Sequence, residues 1–293
     1  MRQILFTFAA VTLLMCGCSK SENDALNPDE MRFTATYPSV TRATGSAFEK
    51  DDAMGIYVVQ YDGDVALPLQ VSGNYANNVE TTFDGSAWKS TPLIYWDEGK
   101  FDVYAYYPYA KLPSVDEYRF AVALDQSTPE EGDVLGGYEA SDFLWAKAEG
   151  VTRMESVPLT FTHRLSRIVI NLVKGEEYTD DIPADAVVRI HNTVPVATID
   201  LASGMVTKDG QEGAKSITAK KISDGVYTAI IVPQRLETKR PLIEVLAKGV
   251  SYMIESTFVF KAGTQHTINM TLNNNPDQVK IEIGGEIQGG WEE

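Results

Sequence analysis

Cysteine is almost missing from this chain: the 293 residues hold two, Cys16 and Cys18, both within the first eighteen. Downstream there is no thiol for a disulfide, a zinc thiolate or a cysteine nucleophile, so stability must come from core size and sheet pairing. Histidine is nearly as scarce. The three, His163, His191 and His266, never stand at metal-ligand spacing from one another, and no H-E-x-x-H pair exists. Basic blocks are absent as well. Lys and Arg number 25 against 41 Asp and Glu, a net charge of −16. A duplex or an anionic lipid surface would repel such a molecule, which excludes nucleic acid as a partner class. Gly132-Asp133-Val134-Leu135-Gly136-Gly137 has glycines but no following Lys-Ser/Thr, so it is no phosphate cradle. Asp62-Gly63-Asp64 lacks the remaining oxygens of a calcium loop and reads as a hairpin tip. No triad, carboxylate dyad or metal set can be assembled from these residues. The chain therefore reads as a non-enzyme without cofactor or metal.

Long apolar runs are also lacking. The most apolar stretch, Ile4 to Met15, follows the basic Arg2 and runs into Cys16-Gly17-Cys18. It falls short of the ~20 residues a membrane span needs but fits the apolar core of a secretory signal. Gly17 is the small residue a lipoprotein signal peptidase requires before its cysteine; bulky Met15 makes Cys16 the poorer choice. Residues 1–18 are thus predicted to be a lipoprotein signal peptide, with Cys18 as the lipidated first residue. Residues 19–30 are polar and acidic, with little to bury, and are predicted to form a flexible tether.

Beyond the tether no segment sustains a 3.6-residue apolar period, which predicts few helices. Short alternating or aromatic-rich segments bounded by Gly, Pro, Asn or Asp are abundant. Examples are Met31–Tyr37, Ile56–Val59, Phe101–Tyr107, Ser166–Val173, Gly225–Val232, Tyr252–Phe260 and His266–Leu272. Such spacing predicts an all-β sandwich or barrel. Hairpin turns are predicted at Asp200–Val206 and Lys261–Thr264, where glycine supplies a positive φ. The segment 126–137 reads as a long surface loop. A boundary is predicted between residues 31–155 and 156–293. Trp88, Trp96, Tyr106, Tyr107 and Tyr109 are candidates for stacking on sugar if exposed, although residues inside strands more often fill a core.

Several phrases in order along the chain carry a resemblance. They are Arg32-Phe33-Thr34-Ala35, Thr41-Arg42-Ala43-Thr44-Gly45-Ser46-Ala47-Phe48, Asp52-Ala53-Met54-Gly55-Ile56-Tyr57, Tyr95-Trp96 and Phe101 to Tyr109. Ser141 to Ala146, Phe161 to Ile168, Val232-Pro233-Gln234 and Phe260-Lys261-Ala262-Gly263 complete the set. In these the chain resembles the fimbrillin-like (Mfa-like, type V pilin) surface lipoproteins of anaerobic Gram-negative bacteria. The resemblance implies two tandem transthyretin-like Greek-key β-sandwich domains, export as a lipoprotein and assembly into fimbriae at the outer membrane. It implies removal of the first strand by an arginine-specific protease, and its replacement by a strand of another fimbrial subunit.

Arg42 matches the family's Thr-Arg-Ala-Thr stretch and is the cleavage candidate, with Arg32 and Arg153 as alternatives. Phe33, Ala35 and Tyr37 alternate as the inward face of the removable strand. Near the far end Val279, Ile281 and Ile283 alternate with Lys280, Glu282 and Gly284, a donor strand with one apolar face. Burying three such side chains contributes roughly 5–9 kcal/mol gross. Other readings stay open: a last strand that completes its own domain, a carbohydrate-binding surface lipoprotein, and a non-polymerising fimbrial anchor. A host or bacterial surface ligand is a further partner in the adhesion reading.

Overall fold

The computed structural model describes residue 27 and residues 29–36, 48–132, 134–179 and 181–288. Cys18, Tyr37 and Arg42 lie outside the described residues. The regular structure of the described chain is strand throughout except for two single-turn 3-10 helices, Glu139–Ser141 and Pro276–Gln278. The architecture is all-β, as the short turn-bounded segments predict. No helix among the described residues is long and apolar enough to cross a membrane.

The first large sheet has seven strands, all antiparallel. Its order is Thr162–His163, Leu144–Val151, Phe101–Tyr107, Ala53–Asp62, Ala76–Phe83 and Trp88–Thr91, with Val65–Ala66 folded back on Ala53–Asp62. Phe101–Tyr107 is central, and all seven of its residues are buried. Two-residue periodicity explains this aromatic run. Phe101, Val103, Ala105 and Tyr107 point into a smaller core, while Tyr104 and Tyr106 point into a larger one. Ile56 and Val58 likewise face the smaller core, and Tyr57 and Val59 the larger. A sheet covered on both faces has no solvated side, so its strands lose the polar alternation of a half-exposed sheet. Asp102 is buried in this run and accepts hydrogen bonds from the Tyr61 hydroxyl (2.8 Å) and the Gly150 amide (2.9 Å). The Lys147 ammonium lies 3.2 Å away. Those partners offset the cost of placing a carboxylate there.

Three further sheets surround the larger core. A five-stranded sheet runs Lys220–Ser223, Val226–Ile231, Ser166–Lys174, Thr264–Leu272, Lys280–Gln288. A four-stranded sheet runs Lys215–Thr218, Val187–Thr193, Gln234–Ala247, Val250–Phe260. A three-stranded sheet joins Met205–Lys208, Val196–Asp200 and Tyr118–Ala121. Its last strand comes from the first half of the chain, so Val115, Phe120 and Val122 pack into the larger core. In return Val157, Leu159 and Phe161 pack into the smaller core. The two cores do not divide at one point of the chain: residues before 155, among them Tyr57, Tyr106, Phe120 and Phe143, belong to the larger core, and Val157, Leu159 and Phe161 after it belong to the smaller.

Local differences from the sequence expectations have physical causes. The Asp200–Val206 turn is a hairpin, with Gly204 at φ 66°. The Lys261–Thr264 turn is not. Its flanking strands belong to different sheets, so Gly263 (φ 59°) turns a corner between layers. Gln126, placed in a surface loop by its polarity, is fully buried. Its side-chain amide donates to the Ile230 carbonyl (2.8 Å) and accepts from the Ile230 amide (2.8 Å), imitating a strand neighbour. Trp88, Trp96, Tyr106 and Tyr107 are buried, as core rings rather than exposed sugar platforms.

Candidate functional site

The leading strand, Phe33–Thr36, lies parallel to Val157–Thr160, with Phe33 opposite Val157 and Thr36 opposite Thr160. The Val157 amide donates to the Arg32 carbonyl (2.8 Å), and the Phe161 amide to the Thr36 carbonyl (2.7 Å). On its other side the approach segment bridges to the chain around Tyr95. The Met31 amide donates to the Ile94 carbonyl (2.8 Å), and the Trp96 amide to the Asp29 carbonyl (2.7 Å). The segment thus sits between two stretches of chain and covers the smaller core. Met31 is 1 % exposed and Phe33 4 %, and Ala35 packs against the same core. Burying Met31 and Phe33 contributes about 1.5–3 kcal/mol each.

Part of the expected tether is therefore docked. Glu30 bridges to Tyr95, and Asp29 forms a close ion pair with Arg153. Its polarity misled because backbone pairing, not side-chain burial, holds it. The first strand is shorter than Met31–Tyr37: the paired ladder starts at Phe33.

Phe48, twelve residues on from Thr36, is buried in the same smaller core. Its ring meets Trp88 (4.8 Å), Phe161 (5.4 Å) and Tyr107 (5.5 Å) edge-on. In sequence, Arg42 stands midway between these two anchors. The other cleavage candidates are engaged elsewhere. Arg32 donates to the Asn27 carbonyl (3.0 Å) and pairs with Glu30 (3.4 Å), while its own carbonyl is held by Val157. Arg153 holds Asp29.

The closing strand, Lys280–Gln288, pairs antiparallel with Thr264–Leu272 at the edge of the five-stranded sheet. The three residues of the expected apolar face are unequally buried. Val279 precedes the strand, though it and Ile281 pack partly against the larger core. Ile283 is 65 % exposed. The ladder slips at Gly284, between the Thr267–Gly285 and Ile268–Ile283 pairs. The slip lies beyond Ile283, so Ile281 and Ile283 share one face of the ladder, while the pairing resumes past it at Gly285. Only Ile281 and Ile287 of this strand are even half-buried, so main-chain pairing supplies most of its attachment.

The strand is pinned near its end by Glu286, which forms a close ion pair with Lys261. Glu286 also lies 3.4 Å from Nδ1 of the fully buried His266. His266 Nε2 accepts the Lys261 amide at 3.2 Å, so the neutral ring carries its hydrogen on Nδ1, toward Glu286. Phe258 and Phe260 pack edge-on against this ring. Burial pushes the His266 pKa below its usual value despite the Glu286 charge. The unfolded chain binds that proton below pH ~6.5 while the folded chain resists it. Stability is then full above that pH and falls as pH drops toward the folded-state value. Urea midpoints at pH 7.5 and 5.5 will show this loss, and His266→Gln, which keeps an acceptor for the Lys261 amide, is expected to flatten it. Glu286, held low by the Lys261 ammonium, adds its own loss only below pH ~4.5.

Two other histidines are placed by the fold. His163 Nδ1 lies 2.9 Å from Asp142 beside the seam between the cores, where the Arg164 guanidinium stacks 4.4 Å from the Trp145 ring. His191, on Val187–Thr193, sits between Ser216 on the neighbouring strand and Glu244 on the other. Its Nδ1 is 2.6 Å from Ser216 Oγ, and its Nε2 is 3.1 Å from Glu244 Oε2. The Ser251 hydroxyl donates to Glu244 Oε1 (2.8 Å), and Arg189 lies 3.5 Å from Oε2. The Ser251 hydrogen bond, aided by His191 and Arg189, holds the Glu244 carboxyl below its usual range. No sequence motif signals this row, because sheet pairing alone brings its members together. Among the described residues no group of three or more His, Cys, Asp or Glu is arranged to hold a metal.

This all-β architecture, with a strand at each end of the described chain lying at a sheet margin, is shared with solved structures. A "Putative cell adhesion protein" from Bacteroides ovatus superposes with a TM-score of 0.69 at 18% identity, over 90% of this chain and 99% of that one. A second protein of that description, from Bacteroides uniformis, gives 0.64 at 22% identity, over 87% and 96%. These likenesses show the fold. The sequence matches the fimbrillin-like family over residues 41–289, and the chain belongs to that family of fimbrial subunits. It is 27% identical to "Putative fimbrium subunit Fim1C" of Bacteroides uniformis, over 98% of this chain and 94% of that protein. It is 28% identical to "Putative fimbrium tip subunit Fim1C" of Bacteroides ovatus, over 53% of this chain and 32% of the relative.

Proposed function

We propose that the chain is exported as a lipoprotein through Cys18, reaches the outer membrane, and is built into a fimbrium by strand exchange after cleavage at Arg42. Cleavage leaves the leading segment attached by non-covalent contacts alone: its pairing, the core contacts of Met31, Phe33 and Ala35, and the Asp29–Arg153 ion pair. Its departure bares Val157–Thr160 as an unpaired strand edge beside Leu159, Phe161, Ile94 and Trp96. A free edge beside an apolar trench is a template for an incoming strand. The incoming strand is Lys280–Gln288 of another subunit, with Val279, Ile281 and Ile283 taking the places of the lost apolar side chains. Adhesion to a host or bacterial surface ligand belongs to the assembled fibre.

One observation carries this reading. The leading strand buries large side chains in its own core, whereas the closing strand leaves Ile283 in solvent, an apolar side chain that a groove in another subunit would cover. Burial of Trp88, Trp96, Tyr106 and Tyr107 gives no support to a sugar-binding alternative. An anchor subunit would keep its first strand, and the same experiment separates the two. Arginine-specific cleavage of purified full chain, followed by light scattering, is expected to yield oligomers, and the same chain ending at Gln278 is expected to stay monomeric. A chain cut cleanly at Arg42 that keeps its monomer mass contradicts the proposal.

A further inference from the structure

The row Ser216–His191–Glu244 lies outside everything used above. We propose that Ser216 is an activated nucleophile that takes an acyl group from activated esters. Glu244 accepts the Nε2 hydrogen of His191, which fixes the tautomer that leaves the Nδ1 lone pair facing the Ser216 hydroxyl at 2.6 Å. A base within hydrogen-bond reach of a hydroxyl, itself oriented by a carboxylate, is the arrangement that raises a serine's nucleophilicity. Glu244 is a positioning residue: Ser251 and Arg189 hold its carboxylate, and it holds the ring.

Ser216 is exposed, on the edge strand Lys215–Thr218, so an ester can approach it. The Thr218 amide points outward from this edge to the Leu124 carbonyl. The Ser216 amide, two residues earlier, points the same way. It is thereby set to donate to the oxygen that becomes negative when Oγ attacks the ester carbon.

In the step, the Oγ–C bond forms as the Oγ proton passes to His191 Nδ1. The bond to the leaving oxygen then breaks, and that oxygen departs with the electron pair and takes the proton from His191. The product is an acyl-serine and a free alcohol. This inference is independent of strand exchange.

The full chain is treated with p-nitrophenyl acetate and its acetylated hydroxyls are mapped by mass spectrometry. Ser216 is expected to react at least tenfold faster than the exposed Ser86 and Ser251, each of which has a carboxylate partner but no imidazole. His191→Gln is expected to bring Ser216 down to their rate with an unchanged melting temperature. Glu244→Gln lowers the rate in part, and Glu244→Asp restores some of it. Acetylation of Ser216 no faster than Ser86 and Ser251 in the unaltered protein overturns the proposal, and that comparison needs no variant to fold. Undiminished reaction in His191→Gln overturns it equally.

Discussion

Phe33→Asp is expected to detach the leading strand and to drive the chain into oligomers without any proteolysis. Phe33 is 4 % exposed, against Val157 and the core that also holds Met31, Leu159 and Phe161. Truncating a buried phenylalanine costs about 3–5 kcal/mol, and an aspartate adds the cost of dehydrating a charge with no cation beside it. The strand itself has only four paired residues. A penalty of that size exceeds what this short ladder returns, at about 1 kcal/mol net per hydrogen bond. The strand should therefore leave, while the seven-stranded sheet, whose ladders do not include it, stays folded. Sizing will show higher species for Phe33→Asp and monomers for Thr34→Asp, whose side chain is exposed. A Phe33→Asp chain that keeps both its fold and its monomer mass would count against an exchangeable first strand.

Gly55→Ala is the second large effect, expected to cost about 3 kcal/mol, at the upper end of overpacking. A Cβ at position 55 would stand 2.2 Å from Cε1 of Tyr106 and 2.7 Å from Asn78 Oδ1. Neither neighbour can give way freely. The Tyr106 hydroxyl lies 2.7 Å from Asn78 Oδ1 and 2.6 Å from the Ala110 carbonyl, and its ring stacks on Phe143. Asn78 in turn donates to the Ala110 carbonyl (2.8 Å). Strand geometry does not demand the glycine, since its φ is ordinary; the ring lying across the backbone does. Urea unfolding of Gly55→Ala, Tyr106→Ala and the double variant should give strongly non-additive losses, because removing the ring removes the clash.

Strand existence was legible wherever apolar residues ran together. Phe101–Tyr107 has the same bounds in sequence and structure, and Ser166–Lys174 differs by one residue. What escaped was polar or short. Ala76–Phe83 reads Ala-Asn-Asn-Val-Glu-Thr-Thr-Phe, and Lys215–Thr218 has one buried residue. Such strands form because a neighbour supplies their hydrogen bonds, which no local pattern records. The shared packing of the two cores was hidden for a related reason. Tyr118–Ala121 and Val157–Thr160 are ordinary strands locally, and only their distant partners assign them to the opposite core. Phe33 as an inward residue was readable from alternation. The exposure of Ile283 was not: it keeps the alternation with Ile281 in an unbroken ladder, and local alternation does not record whether another layer covers that face. The Ser216–His191–Glu244 row depends on pairing across three strands and left no spacing to read.

Backbone hydrogen exchange at Val157 and Phe161 tests strand exchange most directly, because in the intact chain their amides bond to the leading segment. A chain beginning at Ala43 is expected to form oligomers in which both amides stay protected by an incoming strand. Ending that chain at Gln278 should leave it monomeric, with both amides exchanging freely while those of Phe101–Tyr107 remain slow. Free exchange of Val157 and Phe161 within the oligomers, or protection that survives loss of the closing strand, would contradict the account.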